Sequence, residues 1–558
     1  MRRNILLFLL GIYASMLFSV PAKRERCTLT LPDGSTIQAT WTGDEAMHFY
    51  LTDDGRCLQC DDKGFAHFVD AEQLHQRWKA KTAKRQAFRA KRFASSQRKA
   101  KRAMTGSKRG LVILVQFPDV PFYYTNSTFQ NFFNEIDYYD DINVGSVRDY
   151  FLSQSYGQFD FTFDVIGPIT MPDSLYHYGR NNPYGDDRHP AVMVKQAIEM
   201  IDDEVDFSEY DWDKDGEVEQ IFIIHSGYDE AQSRMNDHIW SHAWTLTEAI
   251  DEGDGDGPVT VDGVVVDSYA TSAELRGRAN DFIAGIGTAC HEFSHCFGLP
   301  DFYDTDGKNF GMDTWSLMDY GEYNGNGGCP AGFTSYERMF CGWLEPSVLT
   351  EPVRVVGMPA LTSSPSAYIL RNSGKSDEYY LFENRQKQSW DKYLGGHGML
   401  ILHVDYDSLA WAENAVNVFR SHQRMTIIPA DNILYSGTLA GDTWPQPGKT
   451  ELTDNSTPAA ILYNPNADGN LFMNHSITEI SESGDGLIGF VFDEQALGIE
   501  AVDEEGQGIK DNAIYNLSGQ QIVNGQWLNG KLFKGINIIN GKKYYEKDNS
   551  SSARESLH

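Results

Sequence analysis

Cys290-His291-Glu292-Phe293-Ser294-His295-Cys296-Phe297-Gly298-Leu299-Pro300-Asp301 is the stretch from which the rest of this 558-residue chain is read. Residues four apart on a helix share a face, so a helix here presents the imidazoles of His291 and His295 to one metal ion. Glu292 lies one residue round, within reach of a water held by that ion. Zinc lowers the pKa of such a water toward neutrality, and the carboxylate can take the proton and later pass it to a leaving amine. Gly298 can adopt the left-handed conformation that ends a helix, and Pro300 prevents its resumption. The chain can then turn back and bring Asp301 to the metal as third ligand, with one position left for water. An alternative third ligand is Glu337, on a helix expected over 334–340. The bare His-Glu-x-x-His pattern arises by accident in roughly one chain in 35 of this composition, and with Gly298 and Asp301 added in roughly one in several thousand. Two ordinary core histidines are a poor account of it.

Around this stretch, up to the mid-300s, apolar runs alternate with helical patterns. Leu111-Val112-Ile113-Leu114-Val115 reads as a buried strand stopped by Pro118-Asp119, and 221–225 as another. Helices are expected near 147–154 and 191–200, with a strand near 159–165 between them. Such alternation indicates a mixed α/β domain, placed at 110–348. After Trp343-Leu344-Glu345-Pro346 the pattern changes to short strands and turns, giving a β-rich, sandwich-like domain over 349–495. A last small β unit over 496–546 has strands at 499–502, 513–516 and 535–540 and a turn at Asn540-Gly541. The tail 547–558 is expected to be disordered.

Upstream, Arg2-Arg3, an apolar stretch from 5 to 20 and the exit Val20-Pro21-Ala22 describe a secretory signal over 1–22. The protein is thus expected to be secreted, or attached to the cell surface. No later run approaches the roughly 18–20 apolar residues that span a bilayer, so it is not expected to be integral to the membrane. Residues 27–69 read as a small β-rich unit, and 77–109, with 14 basic residues and no acidic one, as a basic linker. The region 23–109 has the organisation of a propeptide with cuttable basic sites at 98–102 and 107–109.

The net charge is −32, unevenly placed: up to Arg109 there are 21 Lys and Arg against 10 Asp and Glu, and beyond it 26 against 69. A body that acidic repels phosphate backbones, so nucleic acid is excluded as a partner, and the basic leader is expected to dock on the acidic body. Seven cysteines, an odd number with one Cys-x-x-Cys pair at Cys57 and Cys60, form no disulfide scaffold. One of those two thiolates could hold the open zinc position; a local disulfide or simple burial is the plainer expectation.

Asp211-Trp212-Asp213-Lys214-Asp215-Gly216-Glu217-Val218-Glu219 sets oxygen ligands at alternate positions around a Gly turn, like the start of an EF-hand loop. Phe222 stands where that loop has its bidentate Glu. A complete EF-hand is therefore excluded, and a smaller calcium site on Asp211, Asp213, Asp215 and Glu219 is expected.

With His291 to Asp301 and the later Ser316-Leu317-Met318-Asp319, the chain resembles the immune inhibitor A family of secreted zinc metallopeptidases. Ser153-Gln154-Ser155-Tyr156-Gly157, Ile239-Trp240-Ser241-His242, Gly342-Trp343-Leu344 and Glu383-Asn384-Arg385 also fit. The resemblance implies a metzincin-like catalytic domain, an N-terminal inhibitory propeptide and β-rich domains behind. It implies that Met318 forms an apolar floor beneath the metal and that Tyr320 donates to the developing oxyanion, although Asp301 stands where the extended metzincin pattern has a third His. The unit 496–546 resembles C-terminal sorting domains of secreted Bacteroidetes proteins. The expected function is a latent zinc endopeptidase acting on proteins or peptides. The rivals are a noncatalytic surface adhesin using the β-rich domains, against which Glu292 argues, and a zinc hydrolase of non-protein amides.

Overall fold

The computed structural model describes residues 18–45, 47–61, 63–96, 104–182, 185–305 and 309–493, and short strands between 514 and 556; for 87–96 only the backbone is described. Leu111 to Val115 form the middle of the strand Gly106–Gln116, with no exposure at any of the five. A strand sends successive side chains to opposite faces. Accordingly Val112 and Leu114 enter one apolar cluster, and Leu111, Ile113 and Val115 another. The strand is internal to a six-stranded sheet in the order Phe18–Ser19, His242–Thr245, Ser268–Leu275, Ile221–Tyr228, Gly106–Gln116, Phe159–Thr170. The last four pair in parallel, while His242–Thr245 and then Phe18–Ser19 add antiparallel at one edge. Helix Pro190–Ile201 covers one face; Asn126–Asn134, Val147–Gln154 and Ile286–His295 cover the other. The expected mixed α/β arrangement is present, with the strand from Phe159 running on to Thr170.

The N-terminal unit is a five-stranded meander from Arg26 to Val69. The basic stretch behind it departs from the expected linker: Ala71–Ser96 is one helix of 26 residues. Asp70 accepts from the backbone of Glu72 and Gln73 at its start. Ala, Lys, Arg and Gln are strong helix formers, and Leu74, Trp78, Thr82 and Arg85, spaced by three or four, give it a buried face. Charge density concealed that stripe. Residues 97–103 lie outside those described.

The β-rich region consists of a five-stranded sheet, ordered Ser347–Val348, Ala367–Arg371, Glu378–Arg385, Gly398–Asp405, Met425–Ile427, and a three-stranded one, Val353–Met358, Ile488–Phe492, Ile477–Glu482. Leu370, Tyr380, Phe382, Met399 and Ile401 face the smaller sheet, sandwich-fashion. The other face, with Ile369, Leu381, Leu400, Leu402 and Val404, joins the same cluster as Val112 and Phe293. The boundary near 348 is therefore a change of chain pattern and not a break in the core. In the last unit, strands at Ile514–Tyr515 and Gly535–Ile539 are present, while 499–502 and Asn540-Gly541 lie outside the described residues. The tail is not wholly irregular: Glu555–Ser556 pairs with the open edge of Lys542–Glu546. Among the described residues no helix is long and apolar enough to cross a membrane.

Arg385 ties the two halves together. Fully buried, it donates to Asp391 (2.7 and 2.6 Å), Glu383 (3.0 Å) and the carbonyls of Trp315 (3.2 Å) and Gly332 (3.0 Å). Removing one partner of such a network strands buried charge, so Arg385→Met is expected to cost about 3–5 kcal/mol, read as a lower urea midpoint of the full chain.

Candidate metal centre

Helix Ile286–His295 is buried along its whole length. Phe293 stacks on Phe222 of the sheet at 4.6 Å, and Gly287 brings the first turn against the backbone of Glu322, whose carbonyl would lie 2.0 Å from any Cβ there. The helix stops as expected. Gly298 is left-handed at φ +88° and its N–H donates to the His295 carbonyl.

The turn behind it carries Asp301 back to the two histidines. His291 Nε2 lies 3.2 Å and His295 Nε2 3.7 Å from Asp301 Oδ1, and the three ligand atoms are all within 4.8 Å of one another. Each Nδ1 is paired with a backbone carbonyl, His291 with Leu317 O (2.9 Å) and His295 with Leu299 O (2.8 Å). A carbonyl only accepts, so each Nδ1 holds the proton and each Nε2 presents a lone pair. Two lone pairs thus converge on a carboxylate oxygen, and His291 Nε2 and Asp301 Oδ1 are buried with no hydrogen-bond partner. Zinc bonds of roughly 2.0–2.2 Å place tetrahedral ligands about 3.3 Å apart, close to the shorter separation here. The donor set fits a zinc ion. Until a metal binds, burial works against charge on His291, yet the carboxylates of Glu322, Asp301 and Glu292 outweigh it and push its pKa up to about 10, so a proton takes the Nε2 position from which a metal ion would displace it; the site favours positive charge.

Glu292 has no exposure, and both its oxygens lack hydrogen-bond partners, with Oε2 3.9 Å from His295 Nε2. Burial drives its carboxyl well above the usual range. Glu337, the alternative third ligand, is otherwise engaged. It sits in the first turn of helix Ser335–Cys341, where it accepts from Ser316 Oγ and from the backbone and hydroxyl of Thr334 as half of a capping box.

Met318 is buried, and its carbonyl accepts from Phe302 N at 2.7 Å, which sets the 316–318 segment against the Asp301 turn. Tyr320 lies under the Arg24 guanidinium, 3.8 Å from the ring centre, and Arg24 also pairs with Asp313 at 3.0 Å. Burial raises the Tyr320 hydroxyl to about 12, with the Arg24 cation pulling the other way. Neither thiol of the Cys57–Cys60 pair joins the ligand group: Cys57 packs with Met47, Leu74 and Trp78, and Cys60 is exposed. Of the acidic loop, Asp211, Asp213 and Asp215 come together, an oxygen set of the kind calcium takes. Glu219 turns away and accepts from Trp212 N at 2.7 and 2.9 Å. The residues missed in the sequence are Glu322, Arg24 and Asn414; the last is 113 residues from its partner Asp301, and no local pattern marks it.

Residues 98–343 match the family model described as immune inhibitor A peptidase M6, catalytic domain. The matched segment is a metallopeptidase domain. It contains His291, Glu292, His295 and Asp301, and ends at Trp343, before the β-rich region. Among curated relatives, immune inhibitor A of Bacillus thuringiensis subsp. alesti is 26% identical over 231 residues, 36% of this chain and 32% of that protein. The pre-pro-metalloprotease PrtV of Vibrio cholerae serotype O1 is 24% identical over 285 residues, 41% of this chain and 29% of its own length. The chain thus spans about a third of the length of these relatives.

Asp301→Ala is expected to abolish tight zinc binding, whereas Glu337→Gln keeps one equivalent and loses about 1 kcal/mol of stability through its cap; metal analysis after dialysis, beside a thermal melt, checks both.

Proposed function

We propose that this protein is a secreted, metzincin-like zinc endopeptidase made as a latent precursor. The observation that carries the reading is the convergence of His291, His295 and Asp301 around one point with Glu292 beside them. A zinc ion on these three ligands would act as a Lewis acid toward a peptide carbonyl and acidify water. Glu292, dry and with both oxygens free of hydrogen bonds, is placed to take a proton from the attacking water and return it to the leaving nitrogen. The two histidines and Asp301 hold fixed orientations through Leu317 O, Leu299 O and Asn414. Tyr320, once Arg24 leaves it, has a hydroxyl to offer the developing oxyanion.

Support for latency comes from how the N-terminal unit lies on the catalytic half. Phe18–Ser19 pairs antiparallel with the edge strand His242–Thr245 and sits beside helix Ile286–His295. Val20 O accepts from Trp240 Nε1 (3.0 Å), and Pro21 O from Tyr323 Oη (2.8 Å). A cavity of about 20 Å³, room for one water, remains between Arg24, Asp44 and Trp78 on one side and Tyr303, Asp304 and Tyr320 on the other. Charge supports the docking of the basic helix: Arg85 pairs through Nε and Nη2 with Glu252 (2.9 and 3.1 Å), and Lys84 donates to the Asp251 carbonyl. An export cut after Ala22 would remove the edge pairing with the Val20 and Pro21 contacts, and leave Arg24 and this helix to carry the latency.

The trypsin-processed chain is expected to hydrolyse casein, and Glu292→Gln to lower that rate by at least about 10²-fold with zinc content unchanged. Equal rates in the two would overturn the role of Glu292. No activity in either, with zinc bound, would favour a binding protein. In the unprocessed chain, Arg24→Ala combined with Arg85→Glu is expected to raise basal hydrolysis; an unchanged rate would remove these contacts from latency.

A further inference from the structure

Asp301 is held from outside the catalytic segment. Its second oxygen, Oδ2, accepts a hydrogen bond from Asn414 Nδ2 at 2.7 Å, and its backbone N–H donates to Asn414 Oδ1 at 2.9 Å. Both residues are buried, at 1 % and 4 % exposure. The amide therefore grips Asp301 at two points and leaves Oδ1 as the oxygen that faces His291 and His295.

The position of Asn414 follows from the β-rich region. Helix Ser408–Ala412 begins on Asp407, whose side chain accepts from Leu409 N and Ala410 N. It ends at Glu413, and Asn414 follows at φ +54°, the left-handed conformation that stops helices and that Asn tolerates better than most residues. Trp411 and Ala412 anchor the helix in the shared core. The loop behind continues the clamp along the ligand turn. Thr305 Oγ1 donates to Asn414 O (3.2 Å), Asn417 Nδ2 to Phe302 O (2.7 Å), and Gly311 N to Gln423 Oε1 (2.8 Å).

We infer that Asn414 is a positioning residue for the metal centre, so that the zinc site is complete only when the β-rich region is docked on the catalytic half. The inference rests on the zinc reading above. A carboxylate ligand with one oxygen tied by an amide donor loses its freedom to rotate or to chelate through both oxygens, and it meets the metal with its geometry already set. The 98–343 segment alone would keep the turn through Phe302 N on Met318 O but leave the Asp301 carboxylate free to rotate. Loading of the metal is thereby coupled to folding of the β-rich region between Ser347 and Phe492.

The test uses the full chain and zinc itself. Affinity is measured by competition with a chromophoric chelator, and stability by thermal melting of the metal-free protein. Asn414→Gly keeps the left-handed turn without strain and removes the amide that grips Asp301. It is expected to weaken zinc binding by about 10–100-fold, and Asn414→Ala to weaken it at least as much. Asn417→Ala, which loosens the same loop without touching the Asp301 carboxylate, is expected to lower the metal-free melting temperature by a similar amount and leave affinity within about threefold of wild type, well below that loss. Wild-type affinity in Asn414→Gly, or an equal loss in Asn417→Ala, would overturn the inference. A wild-type chain that takes up no zinc would overturn the metal reading and this inference with it.

Discussion

Three ionisable side chains on one buried helix, facing a buried aspartate, create a charge problem that the surrounding structure is arranged around. His291, Glu292 and Asp301 are at 0–1 % exposure and His295 at 3 %. An isolated charge in such an interior is costly unless paired or bound to a metal. The two Nδ1 protons are committed to the Leu317 and Leu299 carbonyls, so the Nε2 lone pairs have to be met by a cation. Glu322, also buried, deepens the negative potential there. Everything nearby either aims a donor atom at that point or keeps water from it.

The aiming is done by packing from several directions. Phe293 locks the helix onto Phe222 and Phe163, and Gly287 lets the Tyr320–Gly327 stretch lie against its first turn. Trp315, just ahead of the carbonyl that receives His291, is pinned by Arg385 and by Asp442, both contributed by the β-rich region. Asn414 from that region takes Asp301. The β-rich sheet belongs to the catalytic core on one face and to its own sandwich on the other, so movement between the two halves would disturb the ligands directly.

The N-terminal unit addresses the same cleft from the opposite side by different means. It lays the Arg24 guanidinium on Tyr320 and seats basic side chains among acidic ones. Arg85 is almost wholly buried between Glu45, Glu252 and the Trp244 ring. Charge-assisted bonds are specific yet separable, since each partner can return to water. A covalent or thiolate plug has no counterpart in this geometry.

Local chemistry was legible in the sequence wherever a function needs residues close together along the chain. Helical spacing brings His291 and His295 onto one face, Gly298 ends the helix, and Asp301 follows within reach. The alternating runs that become Gly106–Gln116 and Ile221–Tyr228 were visible for the same reason: side-chain period is a property of the local backbone. What depended on contacts across the chain was not legible. Asp301 was the expected third ligand and Glu337 the alternative; that Ser316 and Thr334 engage Glu337 and Asn414 holds Asp301 depends on contacts across the chain. The basic stretch read as a linker because its buried stripe exists only against distant partners: Leu74 and Trp78 pack on Met47 and Cys57 of the β unit, and Arg85 meets Glu45 and Glu252. The sequence by itself determined the ligand types and their order on the helix, because those follow from backbone geometry. Tertiary structure alone decided what holds Asp301, what engages Glu337 elsewhere, and what covers the site, because those depend on which distant surfaces exclude water together.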